Sequence, residues 1–75
     1  MNIFNCIENL SDLHAFLCAN NWVHIDTICK EIMISEATFY RLIRALREKF
    51  GAVIECKKYV YRLVKKAEFP ERYYE

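Results

Sequence analysis

Glycine and proline are nearly missing from this chain, with one of each in 75 residues, which excludes long flexible linkers and low-complexity tracts. Long apolar runs are missing as well. None exceeds a few residues, far short of the roughly 20 that a membrane-spanning helix requires. No basic stretch precedes a continuous apolar run at the N-terminus, which argues against a secretory signal and for a cytoplasmic setting without a membrane partner. The four cysteines (Cys6, Cys18, Cys29 and Cys56) form no C-x-x-C pair, and His14 and His24 do not stand at zinc-finger spacing from them. Small buried or half-buried thiols in a reducing compartment are the expectation.

Catalytic signatures are also lacking. The chain holds no Ser-His-Asp set, no glycine-rich phosphate loop, no H-E-x-x-H and no clustered carboxylates. By elimination the expectation is a non-enzyme with no metal, no cofactor and no small-molecule ligand implied.

What is present is a chain that folds. Apolar residues make up 55% and aromatics 15%, too rich for disorder, and the length suits one small domain with one modest core. The net charge of +1 hides an uneven distribution. Residues 1–29 have no Lys or Arg and carry −3, residues 30–66 carry +6, and residues 67–75 carry −2. Positive charge is concentrated where a surface facing a polyanion would need it.

Ile3, Ile7, Leu10, Leu13 (or His14) and Leu17 recur at three- and four-residue steps, predicting one helix over about 3–19 that ends at Asn20-Asn21. Trp22 and Val23 lead into a second helical pattern over about 25–32. There Ile25, Ile28, Cys29 and Ile32 form the apolar stripe and Asp26, Thr27, Lys30 and Glu31 face outward. Ser35 is suited to cap a third helix by accepting from the N–H of Thr38. In that helix Phe39, Ile43, Leu46 and Phe50 share one face, while Ala37, Tyr40, Arg41, Arg44 and Glu48 share the opposite one. Leu42 stands on the flank, either closing the core beside the second helix or marking a contact with another subunit. Gly51 is placed to take the left-handed conformation that ends a helix.

Ala52–Cys56 and Tyr59–Val64 are rich in β-branched and aromatic residues and read as a hairpin around Lys57-Lys58. Alternation puts Ile54, Cys56, Tyr59, Tyr61 and Leu63 inward and Glu55, Lys58 and Arg62 outward. The order of elements predicts an α+β winged helix-turn-helix, three helices followed by a two-stranded β-hairpin wing, over residues 1–66. Residues 67–75 form an aromatic and acidic C-terminal tail.

Ile34-Ser35-Glu36-Ala37-Thr38-Phe39-Tyr40-Arg41-Leu42-Ile43, followed by Ala45-Leu46, resembles the helix-turn-helix of DeoR-, WYL- and Mga-type transcription regulators. Gly51–Glu55 and Tyr61-Arg62-Leu63 resemble the strand–wing–strand of the first two. The likeness covers about residues 3–64, and Ile7–Leu10 with Leu13 is similar to small stand-alone members. It implies sequence-specific binding of double-stranded DNA, usually as a homodimer. The contacting positions carried over are Ser35, Glu36, Ala37, Thr38, Tyr40 and Arg41. Glu36 and Ala37 depart from a pattern that often has bases there, and Met33 occupies a turn position often held by glycine. A left-handed Met33 would cost about 1 kcal/mol.

The residues themselves support the same surface. A helix fits the major groove, where base edges carry a readable donor and acceptor code. Arg41, whose planar fork matches guanine, is the candidate for a base edge. Arg44, Tyr40 and Thr38 are candidates for phosphate, Lys57 and Lys58 at the wing tip for the neighbouring backbone or minor groove, and Arg62 joins them on the wing. The candidate DNA-binding set is therefore Ser35, Glu36, Ala37, Thr38, Tyr40, Arg41, Arg44, Lys57, Lys58 and Arg62. A transcriptional regulator or accessory DNA-architecture factor is expected. Its candidate dimer surfaces are the acidic first helix and the aromatic tail (Phe69, Tyr73 and Tyr74). The alternative is a protein–protein adaptor that keeps the fold without reading DNA, a reading that Glu36, Ala37, Leu42 and the low net charge favour.

Overall fold

The computed structural model describes residues 3–69, with the side chains of the first helix described from Asn9 onward. Tyr73 and Tyr74 lie outside that range. Helix α1 (Ile3–Ala19) is followed by a short strand β1 (Val23–His24), helices α2 (Ile25–Ile32) and α3 (Glu36–Glu48), and strands β2 (Val53–Lys57) and β3 (Val60–Lys65). The three strands form one antiparallel sheet in the order β1-β3-β2. The result is a small α+β domain of three helices and a three-stranded sheet.

Leu10, Leu13 and Leu17 carry the buried face of α1, so the stripe runs through Leu13, with His14 half-buried beside it. The helix stops where Asn20 folds back, its backbone N–H and its side-chain Nδ2 both donating to the carbonyl of Phe16, at 3.1 and 2.9 Å. Trp22, at φ +49°, then turns the chain sharply. Here the structure corrects the two-stranded reading. Val23 pairs with Tyr61 and His24 with Val60, adding a third strand to the hairpin. Two residues give no readable alternation, and the pairing depends on a partner edge almost forty positions away in the chain.

Helix α2 is capped by an unusual residue, His24, whose ring Nδ1 accepts from the backbone N–H of Asp26 at 3.1 Å. At its other end Met33 adopts φ 56°, ψ 54°, and the N–H groups of Met33 and Ile34 both turn back to the carbonyl of Cys29. The left-handed turn whose cost the sequence reading weighed is made, and by a methionine. Ser35 caps α3 as expected: its Oγ accepts from the N–H of Thr38 at 3.2 Å and donates to the Thr38 hydroxyl at 3.0 Å. The α3 cap at the far end is Lys49 in right-handed geometry, and the left-handed Gly51 (φ +70°) follows two residues later. A Cβ at Gly51 would meet nothing within 4 Å, so backbone conformation, not space, accounts for the glycine.

The hairpin is shifted from the sequence reading. The turn is Lys58-Tyr59, not Lys57-Lys58, with φ of 50° and 69° at its two residues. Both central residues left-handed is the geometry that matches strand twist in a two-residue hairpin. It takes Tyr59 out of the strand and leaves the ring 63% exposed instead of inward. Cys56 keeps the inward register opposite Tyr61, but it lies beside the turn on the edge strand β2 and is exposed. Ile54 and Tyr61 are buried, and Leu63 packs partly against the core.

One core joins all layers. Leu13, Ile25, Ile28, Phe39 and Leu46 are sealed from solvent, with Leu42, Ile43, Ala52, Ile54 and Tyr61 around them. Leu42 is 7% exposed, which settles its role as a core residue. Phe39 sits at the centre, its ring edge-on to Tyr61 at 4.9 Å. Each fully buried side chain of this kind contributes roughly 1.5–3 kcal/mol. After β3 the chain returns across α1 and the end of α3. The N–H of Ala67 donates to His14 Nε2 at 2.9 Å, and the N–H of Glu68 donates to the Phe50 carbonyl at 2.8 Å. Phe69 packs against both Phe50 and His14, at 4.9 and 5.0 Å between ring centres.

Candidate nucleic-acid interface

Burial of Phe39, Leu42, Ile43 and Leu46 orients α3, and what remains on its outward face follows from the 3.6-residue period. Ser35, Glu36, Ala37, Tyr40, Arg41 and Arg44 are exposed along it, and Thr38 is half-buried. Of the candidate set, these seven share one surface, and Lys57, Lys58 and Arg62 belong to the hairpin.

The basic residues divide into two kinds. Arg47 donates from Nη2 to the carbonyl of Ile54 at 2.7 Å, tying the last turn of α3 to β2 beside its register shift. Arg62 forms a two-point pair with Glu55 directly across the strands, at 2.8 Å from Nε and 2.6 Å from Nη2, while its guanidinium stacks over Trp22 at 5.0 Å. These two arginines hold the fold together. By contrast, no hydrogen bond or ion pair among the described residues engages the side chains of Arg41, Arg44, Lys57 or Lys58. A mobile, fully hydrated guanidinium or ammonium gains most from meeting a phosphate or a base edge.

Not every group on the α3 surface is available. The Ser35 hydroxyl is engaged twice by Thr38, leaving it a cap first and a ligand second. Glu36 stands exposed in the first turn, on the same groove as Asp26, Cys29 and Lys30. The field of these acids is felt at Cys29, whose thiol is raised above its ordinary pKa by burial first and by Glu36 and Asp26 second. The N-terminal end of α3 is therefore an acidic corner, and the positive surface begins one turn later, at Tyr40, Arg41 and Arg44.

Tyr40 marks the junction between helix and sheet. Its ring stacks edge-on to Phe39 at 5.5 Å, and Phe39 in turn meets the Tyr61 ring at 4.9 Å. The Tyr61 phenol is pushed well above its ordinary value by burial first, and by the neighbouring Cys56 and Tyr40 second. These contacts fix where the wing stands relative to α3. A second tie comes from the wing turn, where the Tyr59 carbonyl accepts from the N–H of Ile25 at 2.9 Å.

Reading the sequence missed the aromatic residues around β1. Trp22 (41% exposed), His24 and Tyr59 were absent from the candidate set, because β1 itself was not visible. Trp22 as the only tryptophan, following two asparagines, was the one available signal. Among the described residues no group of three or more His, Cys, Asp or Glu is placed to hold a metal ion, and no helix is long and apolar enough to cross a membrane.

Comparison of the chain with protein-family models, with curated proteins and with solved structures returned no match.

Proposed function

We propose that this domain is a winged helix-turn-helix that binds duplex DNA, with α3 in the major groove and the β2–β3 hairpin as the wing. The observation that carries this reading is the division of the basic residues. Arg47 and Arg62 are engaged within the fold, whereas Arg41 and Arg44 on α3 and Lys57 and Lys58 on the hairpin are not. The element order and the Ser35-capped helix support it. In this reading Arg41 contacts a base edge, Arg44, Tyr40 and Thr38 contact phosphate, and the wing lysines contact the adjoining backbone. The cellular role is that of a transcriptional regulator or an accessory DNA-architecture factor. Because one such domain offers a modest contact area, a homodimer on two half-sites is the proposed assembly. Phe69 packs within the same chain against Phe50 and His14, which leaves α1 as the better candidate for the dimer surface.

The test is fluorescence anisotropy with mixed-sequence duplex at two salt concentrations. Micromolar or tighter binding that weakens steeply with salt, and is lost in the Arg41→Ala/Arg44→Ala double variant, is expected. Absence of binding at low salt overturns the reading.

One observation favours the adaptor alternative. Met33 is 88% exposed beside a shallow groove lined by Asp12, Phe16, Glu31 and Ile32, an acidic and apolar surface suited to a basic partner segment. A Met33→Glu variant that loses a partner while duplex binding persists would separate the two.

A further inference from the structure

On the face of the sheet turned away from Phe39, β1 and the turns that lead into β1 and β3 carry exposed rings, Trp22, His24 and Tyr59. Tyr61 points to the core, so strand alternation turns its neighbours Val60 and Arg62 outward, together with the residues paired with them. Two cross-strand rows result: Trp22, Arg62 and Glu55 form one, and His24, Val60 and Lys57 form the other. Tyr59 extends the second row at the turn, its ring 6.4 Å from His24. Trp22 is 41% exposed and Tyr59 63%.

Three residues here, Trp22, Lys58 and Tyr59, hold a left-handed backbone, at φ 49°, 50° and 69°. That conformation is disfavoured for side chains of this size, and the hairpin turn is one where Asn-Gly is the unstrained choice. Burial does not compensate at Tyr59, which is the most exposed ring described. Residues held in a disfavoured backbone conformation cluster at ligand-contacting surfaces.

We propose that this outer sheet face is a stacking surface for single-stranded nucleic acid, with Trp22, His24 and Tyr59 taking bases and Lys57 and Lys58 taking phosphates. Rings that lie open on a sheet meet base faces, which a duplex hides within its own stack and a single strand exposes. The charges are complementary to such a strand. Among the described residues both wing lysines lack a partner; of the two acids nearby, Glu55 is paired with Arg62, and Asp26 stands exposed beside His24. Arg62 holds the indole in place from β3. The surface is separate from the duplex face, needs neither Arg41 nor Arg44, and shares with it only the lysines of the wing.

Trp22 is the single tryptophan, so its emission reports this face alone. Titration with oligo(dT) of roughly 15 nucleotides should quench it saturably, and less tightly as salt rises. Tyr59→Gly should bind about tenfold more weakly, the loss of one stacked base, while its melting temperature holds or rises because glycine suits the turn. The Arg41→Ala/Arg44→Ala variant should keep oligo(dT) binding whether or not the wild type binds duplex, so the two proposals fail separately. The proposal is overturned by absence of quenching at low salt, by wild-type affinity in Tyr59→Gly, or by the same emission change with heparin, a polyanion without bases. It is also overturned if Trp22 emission shifts with protein concentration alone, which assigns the face to a second copy.

Discussion

The imidazole of His14, in the middle of α1, accepts a hydrogen bond at Nε2 from the backbone N–H of Ala67, 53 positions along the chain and 2.9 Å away. An acceptor at Nε2 means a neutral ring with its proton on Nδ1, the nitrogen that faces Cys18 Sγ at 3.8 Å. Burial first, and Lys66 second, hold the His14 pKa below its ordinary 6.5. In the folded protein the ring therefore binds its proton at a lower pH than in the unfolded chain. The stability it contributes is complete above about pH 6.5 and is lost as pH falls below that value toward the folded pKa. Melting temperature should fall on acidification through this window, and His14→Gln, which keeps an acceptor without titrating, should flatten the dependence. A melting curve for the variant as steep in pH as the wild type would show that His14 is not the responsible group.

Met33 predicts a gain. It is 88% exposed and left-handed, so its side chain contributes little packing to offset the strain. Met33→Gly should raise stability by up to about 1 kcal/mol, less whatever the glycine adds to the entropy of the unfolded chain. Chemical denaturation reads this directly, and a loss of stability would mean that the thioether packs in solution.

Arg47 and the pair Arg41/Arg44 should respond in opposite ways. Removing the guanidinium that bonds the Ile54 carbonyl leaves that group without its partner, so Arg47→Ala should cost about 1–3 kcal/mol. Arg41→Ala and Arg44→Ala should each change stability by no more than about 0.5 kcal/mol, as surface substitutions do. If DNA affinity falls only with Arg41 and Arg44 while stability falls only with Arg47, structural and binding arginines are separated in one experiment.

Glu36 should act against binding. It stands exposed at the start of α3, where a carboxylate stabilises the helix end by roughly 0.3–1 kcal/mol and repels phosphate. Glu36→Gln should lower the melting temperature slightly and tighten duplex binding, with the gain shrinking as salt rises. Weaker binding in this variant would instead point to a carboxylate accepting from cytosine.

Among these residues, those whose role depends on local rules were legible from the chain alone. The extents of α1 and α2, the Ser35 cap and the buried and outward faces of α3 follow from side-chain periodicity and from bonds spanning a few positions. Such interactions are written within one turn of helix, so neighbouring residues are enough to specify them.

What only the tertiary structure decided involves partners far apart in sequence. Val23 and His24 become a strand because β3 offers an edge, and the Lys58-Tyr59 turn is fixed by the pairing of Lys57 with Val60. Arg47 and Arg62 leave the pool of available cations because Ile54 and Glu55 come within reach of them. His14 becomes a clasp because Ala67 returns to it. Composition and spacing determined how many bases this chain carries and on which elements. Which of them remain unengaged was decided by the fold, because a hydrogen bond acts over about 3 Å and the sequence does not record distance in space.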